Sequence, residues 1–195
     1  MAQAQSDKRP QRTQQALRDA LLELVVEPGY EKSSVQDILD RAGVGRATFY
    51  EYFRNKEDLL RRSLDQLREH LMQEWNSASR GGAQSRVALG FSLAFFRHVD
   101  GHRRLYRAIM GRESGVIVDR QMRRMLADLV KAEIVASGRE DQDGVRTDLA
   151  AQYVVGALMS TVTWWLDCNV KLSPDEIDGA FRRMTLPALR AFCCA

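Results

Sequence analysis

Residues 33–60 read SSVQDILDRAGVGRATFYEYFRNKEDLL, and the rest of the chain is understood from them. Ser34, with Asp37 three places on, is a capping-box-like helix start: each side chain answers a backbone N–H that has no partner inside the helix. Val35, Ile38, Leu39 and Ala42 recur at helical spacing and give that helix one apolar side. Gly43 is suited to end it, because glycine accepts the left-handed backbone that a helix C-terminus often needs. Val44 fills the turn. Arg46 to Phe53 is expected as a second short helix with Phe49 and Phe53 directed inward. Arg54-Asn55 breaks it, and Asn55 caps a long helix opening at Lys56, with Asp58 at the third position.

Two short helices meeting steeply through a glycine turn describe a helix-turn-helix, whose second helix enters the major groove of DNA. The outward residues suit that task. Arg46, Thr48, Tyr50, Tyr52 and Lys56 are candidates for phosphates or base edges, and Ala47 is small enough to approach a thymine methyl. Ser34, at the start of the first short helix, belongs to the same candidate set. Taken singly, Tyr50 is an exposed aromatic and Lys56 a surface lysine; the motif is what favours contact. Arg46 and Thr48 read bases or touch backbone only, and both readings stay open. Arg9 and Arg12 either enter an adjacent minor groove or are solvated.

The run GYEKSSVQDILDRAGVGRATFYEYFRNKEDLL, residues 29–60, resembles the N-terminal domain of the TetR family of bacterial transcriptional regulators. The likeness extends from Arg12 to about Leu64, and its most specific part is A-G-V-x-x-x-T-F-Y-x-x-F-x-x-K-E-x-L at residues 42–59. Two positions depart from the family pattern. Gly45 stands where a serine cap is usual, and Tyr52 where histidine is frequent. The words LYRAIMGR (105–112) and TWWLD (163–167) resemble one common C-terminal subtype. The resemblance implies an all-α fold of about nine helices, with a three-helix N-terminal DNA-binding domain and a larger helical domain. It further implies a homodimer built on residues 145–168 and 174–192, a palindromic double-stranded operator, and repression relieved by a small-molecule effector that shifts the fourth helix.

At 195 residues and 45% apolar composition the chain is globular, with room for a substantial core. No charged-then-apolar leader is evident, and Cys168, Cys193 and Cys194 make no disulfide framework. Both features lead us to expect a cytoplasmic protein. Charge is a weak guide: through Arg62 there are eleven Lys and Arg against ten Asp and Glu. DNA binding must therefore rest on where charges sit, since salt screens exposed charges beyond roughly 10 Å. We expect a flexible basic arm at 1–10, a helix-turn-helix domain at 11–56, and an effector-binding and dimerisation domain at 57–195.

Helix one is expected from Gln11 to Glu27, stopped by Pro28-Gly29, and helix four from Lys56 to Ser77. Residues 79–82 (SRGG) are the clearest break. Further helices are expected at Gln84–Val99, His102–Met110, Val116–Ser137, Val145–Cys168 and Pro174–Phe192, with a polar loop at 138–144 and Ser173 capping the last helix. Phe91, Phe95, Tyr106, Met110, Met122, Met125, Met159 and Trp164 form a candidate effector pocket, although each taken alone is more often plain core. Between Arg97 and Arg124 eight Arg face three acids, a solvated basic face or an attraction for an anionic ligand.

Other classes are weakly supported. His98 and His102 have i, i+4 spacing, but Gly101 intervenes and no Cys or carboxylate has ligand spacing, so no metal is expected. No cofactor motif, nucleophile elbow or carboxylate pair points to an enzyme, and no catalytic residue is assigned. Leu149 to Leu166 holds eighteen residues without formal charge. The polar Gln152, Ser160, Thr161 and Thr163 in it favour a buried helix over a membrane span. A helical adaptor protein with a degenerate DNA-binding domain is the alternative reading.

Overall fold

The computed structural model describes residues 8–79, 89–111, 115–137, 144–168 and 171–193. The expected arm before residue 8, the break at 80–82, the start of the helix at 84–88, the loop at 138–143, and Cys194 lie outside them, as do the side chains of Lys8, Arg9, Trp75 and Cys193. The described residues form nine helices and no strand. They are α1 (Lys8–Val26), α2 (Val35–Ala42), α3 (Arg46–Tyr52), α4 (Lys56–Ser79), α5 (Ser92–Gly101), α6 (Arg103–Gly111), α7 (Val116–Ala136), α8 (Val145–Asp167) and α9 (Pro174–Cys193).

The chain divides into two compact units, Met1–Asp65 with Arg104–Gln121, and Gln66–Arg103 with Met122–Ala195. These boundaries differ from the division at residue 56 expected from the motif alone. The break falls inside α4, because the first turns of that helix share the core of the N-terminal bundle, whereas a motif ends where its pattern ends.

In the first unit the apolar stripes of four helices meet. Leu17, Leu21 and Leu24 of α1, Ile38 and Leu39 of α2, Phe49 of α3, Phe53, and Leu59 and Leu60 of α4 are all at most 5% exposed. Burying one such side chain contributes about 1.5–3 kcal/mol, so this small cluster holds two helices of 8 and 7 residues that are too short to persist alone. Arg41 adds a clasp from α2 to α1, pairing with Glu23 at 2.9 Å and with Glu27 at 2.7 Å. These groups are largely exposed, so the pairs orient more than they stabilise.

The second unit is built around α8. Ten of its residues are buried, from Thr147 to Leu166. Among the described residues it is the one helix long and apolar enough to cross a membrane, at mean hydropathy 1.2, and half of that window is buried inside the protein. Trp165 meets Phe96 edge-on at 5.9 Å, Phe96 meets Phe181 at 5.8 Å, and the Arg103 guanidinium lies 4.4 Å from the Trp165 ring. Trp165 Nε1 donates to the Leu172 carbonyl at 3.0 Å, so its one polar atom is satisfied. At the start of α9 the Ser173 hydroxyl accepts from the Glu176 N–H at 3.3 Å, and Glu176 accepts from the Ser173 N–H at 2.8 Å. Pro187 sits inside α9, where it removes one intrahelical hydrogen bond.

Candidate nucleic-acid interface

The ends of the helix-turn-helix are held by local chemistry. The Asp37 N–H donates to Ser34 Oγ at 3.2 Å, and the Ser34 N–H donates to Asp37 Oδ2 at 2.7 Å, a complete capping box. The Ser34 N–H and hydroxyl together hold the Asp37 carboxyl below its ordinary range. Gly43 closes α2 at φ 63°, ψ 33°, with its N–H on the Leu39 carbonyl. The Val44 N–H reaches the same carbonyl at 3.2 Å. Gly45 then starts α3 from extended backbone, φ −69°, ψ 150°, with no side chain to cap it.

This turn sends Phe49 and Phe53 inward and leaves the other side of α3 open. Arg46 and Ala47 are exposed, Thr48 and Tyr52 half-buried, and Tyr50 is 49% exposed. Tyr50 stands edge-on against Phe49, ring centroids 5.2 Å apart, with the Arg46 guanidinium 5.9 Å from the Tyr50 ring. The buried Phe49 thus braces a surface tyrosine that can face a partner. Arg46, Ala47, Thr48 and Tyr50 lie within little more than one turn, the reach of a helix end in a groove.

The start of α4 is fixed as firmly. The Asp58 N–H donates to Asn55 Oδ1 at 2.8 Å, and Asp58 Oδ2 accepts from the Arg54 N–H at 3.1 Å. Asp58 is 7% exposed and also pairs with Arg61 and Arg62. The Arg54 N–H, then Arg61 and Arg62, keep its carboxyl low. Lys56 differs from a lysine reaching into solvent. Its ammonium donates to the carbonyls of Tyr30 at 2.8 Å and Ser33 at 2.7 Å, and lies 4.2 Å from the Tyr30 ring centroid. Nothing in the spacing of residues 33–60 points to that inward bond, because Tyr30 lies outside the motif.

Sequence comparison agrees with this geometry. The pattern described as bacterial regulatory proteins, tetR family, matches residues 17–62, and a transcriptional regulator C-terminal region matches residues 88–186, half of the chain. The chain belongs to the TetR family. It is therefore a DNA-binding transcriptional regulator. The fatty acid metabolism regulator protein of Bacillus subtilis (strain 168) is 30% identical over 170 residues, 82% of this chain and 85% of that protein. Two solved structures share the fold. The fatty acid degradation regulator FadR from Bacillus halodurans has a TM-score of 0.65 at 22% identity, covering 91% of this chain and 96% of that one. The Bacillus subtilis transcriptional regulator FadR in complex with stearoyl-CoA has a TM-score of 0.61 at 22% identity, covering 88% and 97%.

The residues expected as an effector pocket fall in both units. Phe91, Phe95, Met122, Met125 and Met159 are buried in the second unit. Tyr106 and Met110 belong to the first unit, Tyr106 buried and Met110 half-buried. Trp164 is 49% exposed, while its neighbour Trp165 is fully buried. Adjacent helical residues point about 100° apart, and the pair TWW in an apolar helix does not say which tryptophan faces the core. An apolar groove of about 340 Å³ lies between α8 and α9, lined by Leu149, Ala150, Tyr153, Ala188, Leu189 and Phe192. None of these belongs to the pocket set expected from sequence; the exposed i, i+4 series Val145, Leu149, Tyr153 is the signal that could have found them. His98 and His102 stack at 4.3 Å, and among the described residues no group of three or more side chains has metal-site geometry.

Proposed function

We propose that this regulator is a cytoplasmic homodimeric repressor that leaves a near-palindromic operator when a fatty-acyl effector binds its second unit. The observation that carries the proposal is the 30% identity, over 85% of its length, to the fatty acid metabolism regulator of Bacillus subtilis. The neighbour bound to stearoyl-CoA supports the same class of ligand. Arg46, Ala47, Thr48, Tyr50 and Tyr52, with Ser34 at the cap of α2 and Lys56 at the start of α4, are the proposed DNA contacts, supported by the exposure of Arg46, Ala47 and Tyr50 on α3. Two copies would place two α3 helices about 34–36 Å apart, one helical turn of DNA, or a multiple of it.

The dimer surface is proposed on α8 and α9. Val145, Leu149, Tyr153, Trp164, Met184 and Phe192 are all at least 39% exposed there, and Leu149, Tyr153 and Phe192 share one apolar groove, the kind of surface that marks an interface. The effector is proposed to lodge its chain among Phe91, Phe95, Met122, Met125 and Met159. For release to follow, it must bind the DNA-incompetent form more tightly; a tenfold preference is worth about 1.4 kcal/mol. The test is fluorescence anisotropy at fixed salt, with duplex flanking the protein's own coding region against scrambled duplex, before and after adding stearoyl-CoA. Binding to the flanking duplex alone, reversed by stearoyl-CoA and not by free coenzyme A, is expected. Equal weak binding to both duplexes, indifferent to stearoyl-CoA, refutes it.

A further inference from the structure

Arg104–Gln121, most of α6 and the start of α7, belongs to the same compact unit as the reading motif. Tyr106, Ile109 and Val118 are buried in it, each at most 3% exposed. The end of α6 and the start of α7 approach closely: a Cβ on Gly115 would run into the Ile109 carbonyl, so only glycine fits there. From that corner α7 continues without a break to Ala136, and its Met122 and Met125, where the effector chain is proposed to lodge, belong to the second unit. Ile117 and Met122 stand about 7.5 Å apart along the helix axis. The Ile117 N–H donates to Glu31 Oε1 at 3.3 Å, and Glu31 lies in the loop that launches α2. We propose, on the reading of the second unit as the effector-binding one, that Glu31 is a positioning residue for regulation. It passes a displacement of α7 to the loop that sets the Ser34 cap and Lys56, a route to the reading motif separate from α4.

The first amides of a helix have no partner inside it, and the helix dipole favours a negative charge beside them. A carboxylate reaching the second residue of α7 answers both needs. The loop that carries Glu31 is stiff. The Ser33 hydroxyl donates to the Gly29 carbonyl at 2.8 Å, and the Ser33 N–H to the Tyr30 carbonyl at 3.2 Å. The same loop holds Lys56: the carbonyls of Tyr30 and Ser33 take two of the three ammonium donors, at 2.8 and 2.7 Å, and leave the third for a phosphate. A shift of the α7 start is therefore felt at the cap of α2 and at the first residue of α4 together. A second link runs the same way: the Glu27 carboxyl, held low first by Arg41, also feels the charge of Arg104 on α6. A continuous helix is a rigid element of the kind that carries coupling between sites. Glu31 itself is exposed, so its removal leaves no cavity and no orphaned buried group.

The experiment compares wild type, Glu31→Ala and Glu31→Gln by residue-resolved amide exchange and by anisotropy on the flanking duplex, with stearoyl-CoA as the probe. In Glu31→Ala the Ile117 amide is expected to exchange about fivefold faster or more. Affinity for the duplex alone and for stearoyl-CoA alone should stay within about twofold of wild type, while the factor by which stearoyl-CoA weakens DNA binding falls by about threefold or more. Glu31→Gln, which keeps an oxygen acceptor, should regain most of that factor. An unchanged factor overturns the proposal. So does unaltered Ile117 exchange, or a duplex affinity that drops while the factor holds, the mark of a merely structural role. If wild type ignores stearoyl-CoA or the duplex, the reading of the preceding subsection fails, and Met125→Ala then perturbs α7 in place of the probe. Faster exchange across residues 30–39 in Met125→Ala, absent from Met125→Ala/Glu31→Ala, is expected. No acceleration, or the same acceleration without Glu31, overturns the proposal.

Discussion

Gly43 and Gly45 lie two residues apart in the same turn, and the structure assigns them opposite responses to a side chain. A Cβ built at either position meets nothing within 4 Å, so sterics drop out and only the backbone differs. Gly43 has φ 63° and Gly45 φ −69°. At Gly43 an alanine takes a left-handed conformation costing roughly 1–2 kcal/mol. The smaller entropy of the unfolded chain returns about 0.4–1 kcal/mol, so Gly43→Ala should destabilise the first unit by about 1 kcal/mol. Gly43→Asn should cost less, since asparagine tolerates that region. At Gly45 a serine needs no strained backbone, supplies the missing oxygen at the start of α3, and gains the same entropy. Gly45→Ser should stabilise by on the order of 0.5–1 kcal/mol. Hydrogen exchange of the residue 38–49 amides reads this directly, because about 1.4 kcal/mol is tenfold in an opening equilibrium. About fivefold faster exchange is expected in Gly43→Ala and twofold to fivefold slower exchange in Gly45→Ser. A neutral Gly43→Ala, or a Gly45→Ser that loosens the unit equally, refutes the left-handed cap as the element that orients α3.

Thr48→Ala/Tyr50→Ala should narrow the difference between flanking and scrambled duplex at least tenfold in anisotropy, since one good base contact discriminates by about 1–3 kcal/mol. Sedimentation should show the same oligomer as wild type, and unchanged affinity would count against the proposed docking. Tyr153→Glu puts a charge on the apolar α8 face and is expected to sediment as a monomer at micromolar concentration with unaltered circular dichroism; a persisting dimer removes α8 from the interface. Burial first, and then the charges of His102 and His70, push His98 down to about 4 from an ordinary value of 6.5. Its folded pKa lies below its unfolded one, so the associated stability is complete above pH 6.5 and is lost as pH falls towards 4, on the order of 3 kcal/mol in all. Urea unfolding across that range should show the loss in wild type and a flatter profile in His98→Asn.

The motif is readable because its signals are local. Ser34 and Asp37, Gly43, and Asn55 and Asp58 act on backbone within four residues of themselves, and Phe49 and Phe53 follow from helical spacing. The helices of the second unit are readable for the same reason, from apolar periodicity and the Ser173 cap. Their ends are less so. The periodicity predicts a helix from Gln84, but the described part begins at Ser92, after Leu89 at φ 51°. The buried Glu133 takes the Leu89 N–H at 2.6 Å from forty-four residues away, a partner that no local pattern contains.

What local sequence chemistry decided, then, is the kind of protein: two short helices, the first capped by Ser34, joined by a left-handed glycine with an aromatic pair beneath them, and a long apolar helix in the second unit. What required the folded chain is which side of each helix is spent on the core. Lys56 turns inward because Tyr30 and Ser33 offer it carbonyls. Trp165 is buried and Trp164 is not, because Phe96, Arg103 and the Leu172 carbonyl surround one of two equivalent letters. Helical periodicity places residues around an axis, but rotation about that axis is set by neighbours distant in the chain, and those contacts exist only once the helices have packed.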